Sequence, residues 1–100
     1  MIVTVFRSRV NPEAQEEYAR WAKRMSELAA KMPGYVSHKG FTAPDGERVT
    51  IVEFESEEGQ RAWAMHPEHL EAKKKGRAGF YLEYRVQVCD VVRDTGLKKK

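Results

Sequence analysis

Residues 35–55 read YVSHKGFTAPDGERVTIVEFE and predict a β-hairpin. Two segments rich in β-branched and aromatic residues flank the tripeptide Pro44-Asp45-Gly46. Proline fixes φ, aspartate tolerates left-handed backbone, and glycine turns at no steric cost, so such a tripeptide is typical of a turn. The sequence therefore predicts antiparallel strands over residues 35–43 and 47–55.

The segment before the hairpin has the pattern of a long amphipathic helix. Asn11-Pro12-Glu13 combines an N-cap residue, a proline suited to the first helical position and an acid near the positive helix end. Apolar side chains then recur at alternating steps of four and three, which places them in one stripe: Ala14, Tyr18, Trp21, Met25, Leu28 and Met32. Pro33-Gly34 predicts the end of this helix.

After the hairpin, a second helical region is interrupted by a proline. Ser56 is a good N-cap residue, and the acidic pair at 57–58 suits the first turn of a helix. The dipeptide His66-Pro67 predicts a break, because the residue before a proline avoids helical backbone. Pro67 can open a further helix that reaches to about Gly79.

The first and last segments complete an α+β pattern. Residues 2–10 are rich in β-branched side chains and residues 82–92 alternate apolar and polar ones, so both segments predict strands. The resulting order, β-α-β-β-α-β, predicts a ferredoxin-like fold with an antiparallel sheet and helices on one face. We expect one domain over residues 1–94, followed by a basic tail over residues 95–100.

Both faces of the predicted sheet carry apolar side chains. In the strand over residues 47–55, Val49 and Ile51 point away from Val52 and Phe54, because successive side chains alternate. Helices cover only one face of such a sheet, so the other face requires a second cover. We therefore expect a homodimer in which the sheets of two copies face each other.

Composition argues against several classes of protein. Hydrophobic residues make up 41% and charged residues 33%, which is typical of a soluble globular chain. The net charge of +3 comes from Lys98, Lys99 and Lys100, since the rest of the chain is balanced. This balance argues against a nucleic-acid partner, and the lack of a long apolar segment argues against a membrane. Cys89 is the single cysteine, so we expect no internal disulfide and a cytoplasmic location.

Residues able to carry chemistry concentrate between Trp63 and Tyr84. His66 and His69 are three residues apart and can share a helix face, but their spacing matches no common metal motif, so we expect no metal. Histidine titrates near neutrality, which favours a proton-transfer role for His69. His66 is equally suited to cap the helix that Pro67 opens.

The aromatic side chains of this segment each have a structural and a functional interpretation. Trp63 is either core or the wall of a pocket that takes a flat aromatic ligand. Of Tyr81 and Tyr84, we expect one to point its hydroxyl into a pocket and the other to lie in the core or an interface.

Arg77 lies among these aromatic residues in the sequence. It is either an anchor for a carboxylate or phenolate, or a salt-bridge partner of Glu83 or Glu53. Cys89 has no base paired with it, so we expect no cysteine nucleophile.

Together these motifs resemble a known family over roughly residues 2–93. They are, in order, Asn11-Pro12-Glu13, Met32-Pro33-Gly34-Tyr35, Phe54-Glu55-Ser56, Ala62-Trp63, His66-Pro67-Glu68-His69, Gly76-Arg77, Phe80-Tyr81, Tyr84 and Gln87-Val88-Cys89. Their order and spacing resemble the antibiotic biosynthesis monooxygenase family. The resemblance implies a dimeric α+β barrel made of two facing sheets, with a pocket between sheet and helices in each protomer.

Members of this family differ in chemistry, and the resemblance implies three candidate functions. Some members oxidise polycyclic phenols or quinols with molecular oxygen and without metal or flavin, and others bind and degrade haem. We favour a cofactor-independent monooxygenase acting on a flat phenol, quinol or anthrone, ahead of a non-catalytic dimeric binder of small ligands. Haem comes third, because haem degraders place an iron-binding histidine where this chain has Lys73.

For the monooxygenase, the resemblance implies a base, an anion anchor and a dry aromatic pocket. His69 would transfer the proton, and Arg77, or alternatively Arg85, would hold the developing charge. The further substrate-binding candidates are Trp63, His66, Tyr81, Tyr84 and, on the last strand, Arg85. We expect no cofactor, because the deprotonated substrate supplies its own electrons to oxygen.

Overall fold

Four segments rich in β-formers pair into one antiparallel sheet. The computed structural model describes residues 1–99 and contains the strands β1 (Ile2–Val10), β2 (Tyr35–Thr42), β3 (Arg48–Phe54) and β4 (Tyr81–Asp90). Their order across the sheet is β2-β3-β1-β4. The predicted hairpin is confirmed as β2–β3, and Gly46 in its turn adopts a φ of +91°, which glycine adopts without strain.

Helices pack on one face of this sheet. They are α1 (Gln15–Ala29), α2 (Glu57–Ala64) and α3 (Pro67–Lys75), with a 3-10 turn at Pro12–Ala14 and a π-helical segment at Gly76–Phe80. The predicted order β-α-β-β-α-β and the α+β ferredoxin-like fold are thereby confirmed. The break between α2 and α3 falls at His66-Pro67, as the proline predicts.

Helix α1 ends three residues before Met32, the last residue of its apolar stripe. The amides of Lys31 and Met32 donate to the carbonyls of Leu28 and Ala29, so the backbone tightens to bonds spanning three residues. Gly34 then takes a φ of +82° and ends the turn. The stripe still packs, because Met32 contacts the core from this turn.

The core lies where α1, α2 and β3 meet. Ala29, Phe54 and Trp63 are buried there, and partly buried apolar side chains surround them: Met25, Leu28, Met32, Tyr35 and Val52. The elements approach closely at Gly59 in α2, where a Cβ atom would lie 3.0 Å from the carbonyl oxygen of Pro33. Helix α2 therefore packs directly against the turn that follows α1.

The sheet register shows which side chains share a face. Phe54 lies in the core beneath the helices, so its partner Ile2 lies on the same helix-facing side. Val5 pairs with Ile51 on the opposite side, called the open face below. Phe41 belongs to the open face as well and is 47% exposed. Apolar side chains on both faces are therefore confirmed.

Strand β4 pairs with β1 and contains an extra residue. The register shifts between Arg9 and Val10, so that Val10 pairs with Tyr81 while Arg9 pairs with Glu83. Such a bulge places Tyr81 and Tyr84 on one face although they are three residues apart. The strand ends at Asp90, two residues before the predicted end.

The helices leave part of the helix-facing side uncovered along β4. Val86 and Val88 pair with Phe6 and Thr4, which lie on that side, yet they are 47% and 51% exposed. No regular element follows β4 up to residue 99, and Lys100 of the predicted basic tail lies outside the described residues. Among residues 1–99, no helix has the length and hydropathy needed to cross a membrane.

Candidate functional site

Three predicted site residues form one group of neighbouring rings, the Trp63 cluster, made of Trp63, His66 and His69. Trp63 is 7% exposed because α2 directs its indole into the core against Phe54. The His69 ring stacks on the indole with centroids 4.2 Å apart and planes 18° apart. The His66 ring lies 5.7 Å from the same indole at 49°. The core interpretation of Trp63 is therefore confirmed, and its role as a pocket wall stays a prediction.

The protonation state of His69 follows from its contacts. Its Nδ1 atom lies 3.0 Å from the carbonyl oxygen of Trp63, and because a carbonyl only accepts, Nδ1 carries the hydrogen. Burial lowers the pKa of His69 to about 4, opposed by that hydrogen bond and assisted by the charge of Lys73. At neutral pH the imidazole is therefore uncharged and has its lone pair at Nε2, the state required of a proton acceptor.

His66 has a structural contact that its position before a proline predicts. Its Nδ1 atom accepts a hydrogen bond of 3.1 Å from the amide of Glu68, so the side chain caps α3. Glu68 in turn binds Arg24 of α1 through two hydrogen bonds, of 2.9 and 3.0 Å. The start of α3 is thus stabilised by the His66 cap and by the ion pair that joins Glu68 to α1.

Lys73 stands where the resemblance places the iron-binding histidine of haem degraders. Its ammonium donates a 2.9 Å hydrogen bond to the carbonyl of Ala64, the last residue of α2. Burial lowers the pKa of Lys73, and the charge of Arg77 lowers it further. This side chain therefore satisfies a helix end, a contact that a lysine favours.

Arg77 is exposed on the π-helical segment and has no ion pair within residues 1–99. The salt-bridge interpretation is wrong for both predicted partners. Glu83 binds Arg9, and Glu53 accepts a hydrogen bond from Ser37. Strand pairing explains this, because β1 and β2 bring their own polar side chains beside these acids. Arg77 remains available as an anion anchor.

Tyr81 and Tyr84 belong to a second group, the tyrosine cluster, which also contains Phe6, Tyr18 and Phe80. The ring of Phe6 stacks on Tyr84 at 5.9 Å and meets the edge of Tyr81 at 5.4 Å. Burial raises the pKa of Tyr81, so its hydroxyl stays protonated and can donate a hydrogen bond. Gly76 is required for this arrangement, since a Cβ atom there would lie 2.7 Å from Cε2 of Tyr81.

Two residues that the sequence interpretation missed lie beside the tyrosine cluster. The hydroxyl of Ser8 and Nε of Arg48 are buried and have no hydrogen-bond partner within residues 1–99. The register pairs Ser8 with Arg48 on one side and with Tyr84 on the other. Strand alternation could have identified Ser8, because it is, with Thr4, one of two polar members of the series that contains Ile2, Phe6 and Val10.

Arg85 does not join either cluster. It pairs with Arg7, which alternates with Ser8 and so points to the open face. The predicted set of site residues therefore divides into the Trp63 cluster, the pair Tyr81 and Tyr84, and two separate arginines.

Metal ligands and surface grooves add no further site. Within residues 1–99 no group of three or more histidine, cysteine, aspartate or glutamate side chains could hold a metal ion. One groove of about 390 Å³ lies on α2 beside Met65, and one of about 200 Å³ lies between α1 and α3 beside Trp21. Neither groove is lined by a residue of the two clusters.

Comparison with known proteins identifies relatives over most of the chain. YqjZ, an uncharacterized protein of Bacillus subtilis strain 168, is 36% identical over 86 residues, which are 86% of this chain and 75% of YqjZ. SnoaB from Streptomyces nogalater, described as a cofactor-independent oxygenase, has a crystal structure that matches with a TM-score of 0.78 and 22% identity over 94% of each chain. Rv0793 from Mycobacterium tuberculosis matches with a TM-score of 0.83 and 16% identity, over 95% of this chain and 98% of its own.

The two structural matches show the same fold at low identity. The family model described as antibiotic biosynthesis monooxygenase matches residues 1–75, which include both histidines of the Trp63 cluster. The match to YqjZ adds similarity in sequence, at 36% identity over 86% of this chain. The chain therefore belongs to the antibiotic biosynthesis monooxygenase family.

Proposed function

We propose that this protein is a cofactor-independent monooxygenase that oxidises a flat phenol, quinol or anthrone with molecular oxygen in the cytoplasm. The observation that carries the proposal is the partly buried, uncharged His69 stacked on Trp63. Family membership supports oxygenase chemistry, and the description of SnoaB supports its independence of cofactors.

The proposed chemistry needs no external reductant. When an anthrone methylene becomes a carbonyl, one oxygen atom enters the product and the other leaves as water with the two methylene hydrogens. The substrate supplies all the electrons once it is deprotonated, so the protein has to remove a proton and exclude water. Nε2 of His69 is the proposed proton acceptor. A substrate anion formed beside it raises the pKa of the imidazolium, because opposite charges stabilise each other.

The other proposed roles follow from position. Trp63, with His66 beside it, offers an aromatic wall next to the base. Tyr81 and Tyr84 offer a second wall and hydroxyl donors. Arg77 is the proposed anchor for developing charge, as its guanidinium is exposed and has no ion pair within residues 1–99. Arg85 would contact a substrate only across a subunit interface, because it lies on the open face.

We propose that the protein works as a homodimer whose open faces meet. Val5, Ile51 and Phe41 give this face an apolar centre, and Phe41 is 47% exposed in a single chain. Light scattering after size exclusion is expected to give twice the chain mass. Ile51→Asp is expected to give the monomer mass, whereas Val92→Asp, at a 93% exposed position after β4, should leave the dimer intact.

Oxygen uptake tests the proposed function. Metal-stripped protein is assayed against hydroquinones, anthrones and naphthols, with autoxidation subtracted. We expect uptake that is lost in His69→Ala and retained in His66→Ala at a temperature where both variants are folded. Loss in His66→Ala with full activity in His69→Ala would contradict the assignment of the base. No uptake with any substrate would favour the second candidate, a non-catalytic ligand binder.

The binder is supported by one observation, the unpaired polar atoms of Ser8 and Arg48, which suit recognition without chemistry. Haem binding is the third candidate. Titration with haemin is expected to give no Soret shift, because Lys73 occupies the place of the iron-binding histidine and caps α2.

A further inference from the structure

Two side chains on the helix-facing side each have a buried polar atom that lacks a partner within residues 1–99. Ser8 is 2% exposed, and neither its hydroxyl nor Nε of Arg48 has a hydrogen-bond partner within residues 1–99. Burying a donor without an acceptor opposes folding, and most buried donors in proteins are paired. Two such donors on directly opposed strand positions indicate a place where an acceptor from outside the chain binds.

The backbone around Arg48 is shaped to accommodate its guanidinium. A Cβ atom at Gly40 would lie 2.7 Å from Nη2 of Arg48, so the guanidinium lies over the glycine on β2. Any side chain at this position would displace it. Gly40 therefore holds open the space that the charged group occupies.

The charge of Arg48 is uncompensated within residues 1–99, in contrast to the charges of four other arginines. Four arginines form ion pairs with carboxylates, and they are Arg7, Arg9, Arg24 and Arg61. Arg48 has no carboxylate within ion-pair distance among residues 1–99. A partly buried guanidinium without a counter-ion favours an anionic oxygen ligand, which its planar fork can bind through two hydrogen bonds.

Aromatic side chains lie next to this polar pair. Ser8 pairs with Tyr84, whose ring stacks on Phe6 and is 44% exposed. Because Tyr84 is half exposed, a ligand can reach its ring from solvent. Val86 beside it is 47% exposed on the same side and offers further apolar surface. A ligand for this place is flat and apolar with one anionic end.

We propose that Ser8 and Arg48 bind the carboxylate of an aromatic acid whose ring lies against Phe6 and Tyr84. The guanidinium contributes the charge and the fork, and the Ser8 hydroxyl donates to a carboxylate oxygen. This inference rests on the proposed function for the aromatic nature of the ligand and adds that the preferred substrates carry a carboxylate. Binding is measurable without turnover, so the two proposals are tested separately.

Calorimetric titration at pH 7.5 provides the test, with 2-naphthoate as the probe and neutral 2-naphthamide and 2-naphthol as its analogues. We expect 2-naphthoate to bind about tenfold more tightly than either analogue. Arg48→Met is expected to weaken 2-naphthoate binding by about tenfold or more and to abolish the preference. Ser8→Ala should weaken it by about threefold. Arg93→Met, at an exposed position after β4, removes the same charge and should change nothing.

Arg48→Lys is the control for a folding defect, since it keeps the positive charge and removes the planar guanidinium that can form two parallel hydrogen bonds. Weaker 2-naphthoate binding in this variant, with an unchanged melting temperature, would support the proposal. Undiminished binding in both Arg48→Met and Ser8→Ala would overturn it, and so would equal affinity for 2-naphthol and 2-naphthoate. A failure of oxygen uptake with every substrate would defeat the proposed function alone, because the Arg48 dependence of binding would persist.

Discussion

The two aromatic clusters on the helix-facing side differ in how their polar atoms are satisfied. In the Trp63 cluster, both histidines hold hydrogen bonds to the backbone, His66 as a helix cap and His69 to the Trp63 carbonyl. Beside the tyrosine cluster, Ser8 and Arg48 have buried polar atoms without partners within residues 1–99. Satisfied groups stabilise the fold and fix a protonation state, whereas unsatisfied donors oppose folding and are available to a ligand. This difference supports the two proposals, which place chemistry at the first cluster and recognition beside the second.

The largest expected effect concerns the apolar centre of the Trp63 cluster. Trp63→Ala should lower the free energy of unfolding by about 3–5 kcal/mol, because it empties a buried site next to Phe54. Urea denaturation followed by circular dichroism measures the change. Trp21→Ala removes the same side chain from a partly exposed position and is expected to cost clearly less. Equal decreases in the free energy of unfolding for the two variants would show that burial of Trp63 in the core contributes no extra stability.

The charge state of His69 gives the next largest effect. Its pKa is about 4 in the folded protein and 6.5 in the unfolded chain, so the unfolded chain binds more protons between these values. Stability should therefore fall as the pH drops from 6.5 to 4, by a total of about 3 kcal/mol. Urea denaturation at pH 4.5 and 7.5 measures the difference. His69→Gln should remove most of this dependence, and an unchanged dependence would place its origin elsewhere.

A third, smaller effect on stability is expected at Gly76, the glycine that packs against the tyrosine cluster. Gly76→Ala should destabilise the protein by about 1–3 kcal/mol, because the new Cβ would overlap the ring of Tyr81. Gly79→Ala is the matched control, since it lies in the same π-helical segment and its Cβ would meet nothing within 4 Å. Thermal unfolding of both variants distinguishes the two positions. A similar loss in both would point to the backbone of the segment and away from the ring contact.

The smallest effect separates the two histidines. His66→Ala should cost about 1 kcal/mol through loss of the α3 cap. Ser56→Ala removes the corresponding cap of α2 and is expected to cost about the same. Chemical denaturation at pH 7 measures both. A cost above about 3 kcal/mol for His66→Ala would mean that its ring contact with Trp63 outweighs the cap.

Most of the fold was predictable from local signals. The turn at Pro44-Asp45-Gly46, the cap at Asn11 and the break at His66-Pro67 all appear where the sequence places them. Turns, helix caps and proline breaks depend only on neighbouring residues, so they can be predicted from the sequence alone. The end of α1 was misplaced because the apolar stripe continues into a tighter turn, where packing of Met32 decides the backbone.

The candidate site was less predictable, because its contacts join distant parts of the chain. The stacking of His69 on Trp63 joins two helices across the break at His66-Pro67, and the six-residue spacing matches no helical period, so the sequence did not suggest it. The contact of Phe6 with Tyr81 depends on the register between β1 and β4, which no local signal fixes. Arg77 lost its predicted partners for the same reason, as neighbouring strands supply Arg9 and Ser37.

The extra residue in β4 has a consequence for anyone who aligns or shortens this chain. Tyr81 and Tyr84 reach the same side of the sheet only because one position between them is unpaired. Removing Leu82 would remove the bulge and leave the two tyrosines two positions apart in a regular strand, so both rings would stay on the helix-facing side. A relative without the bulge therefore presents the same surface when its two aromatic residues are two positions apart, and an alignment in this region has to follow the strand register and allow a gap at residue 82.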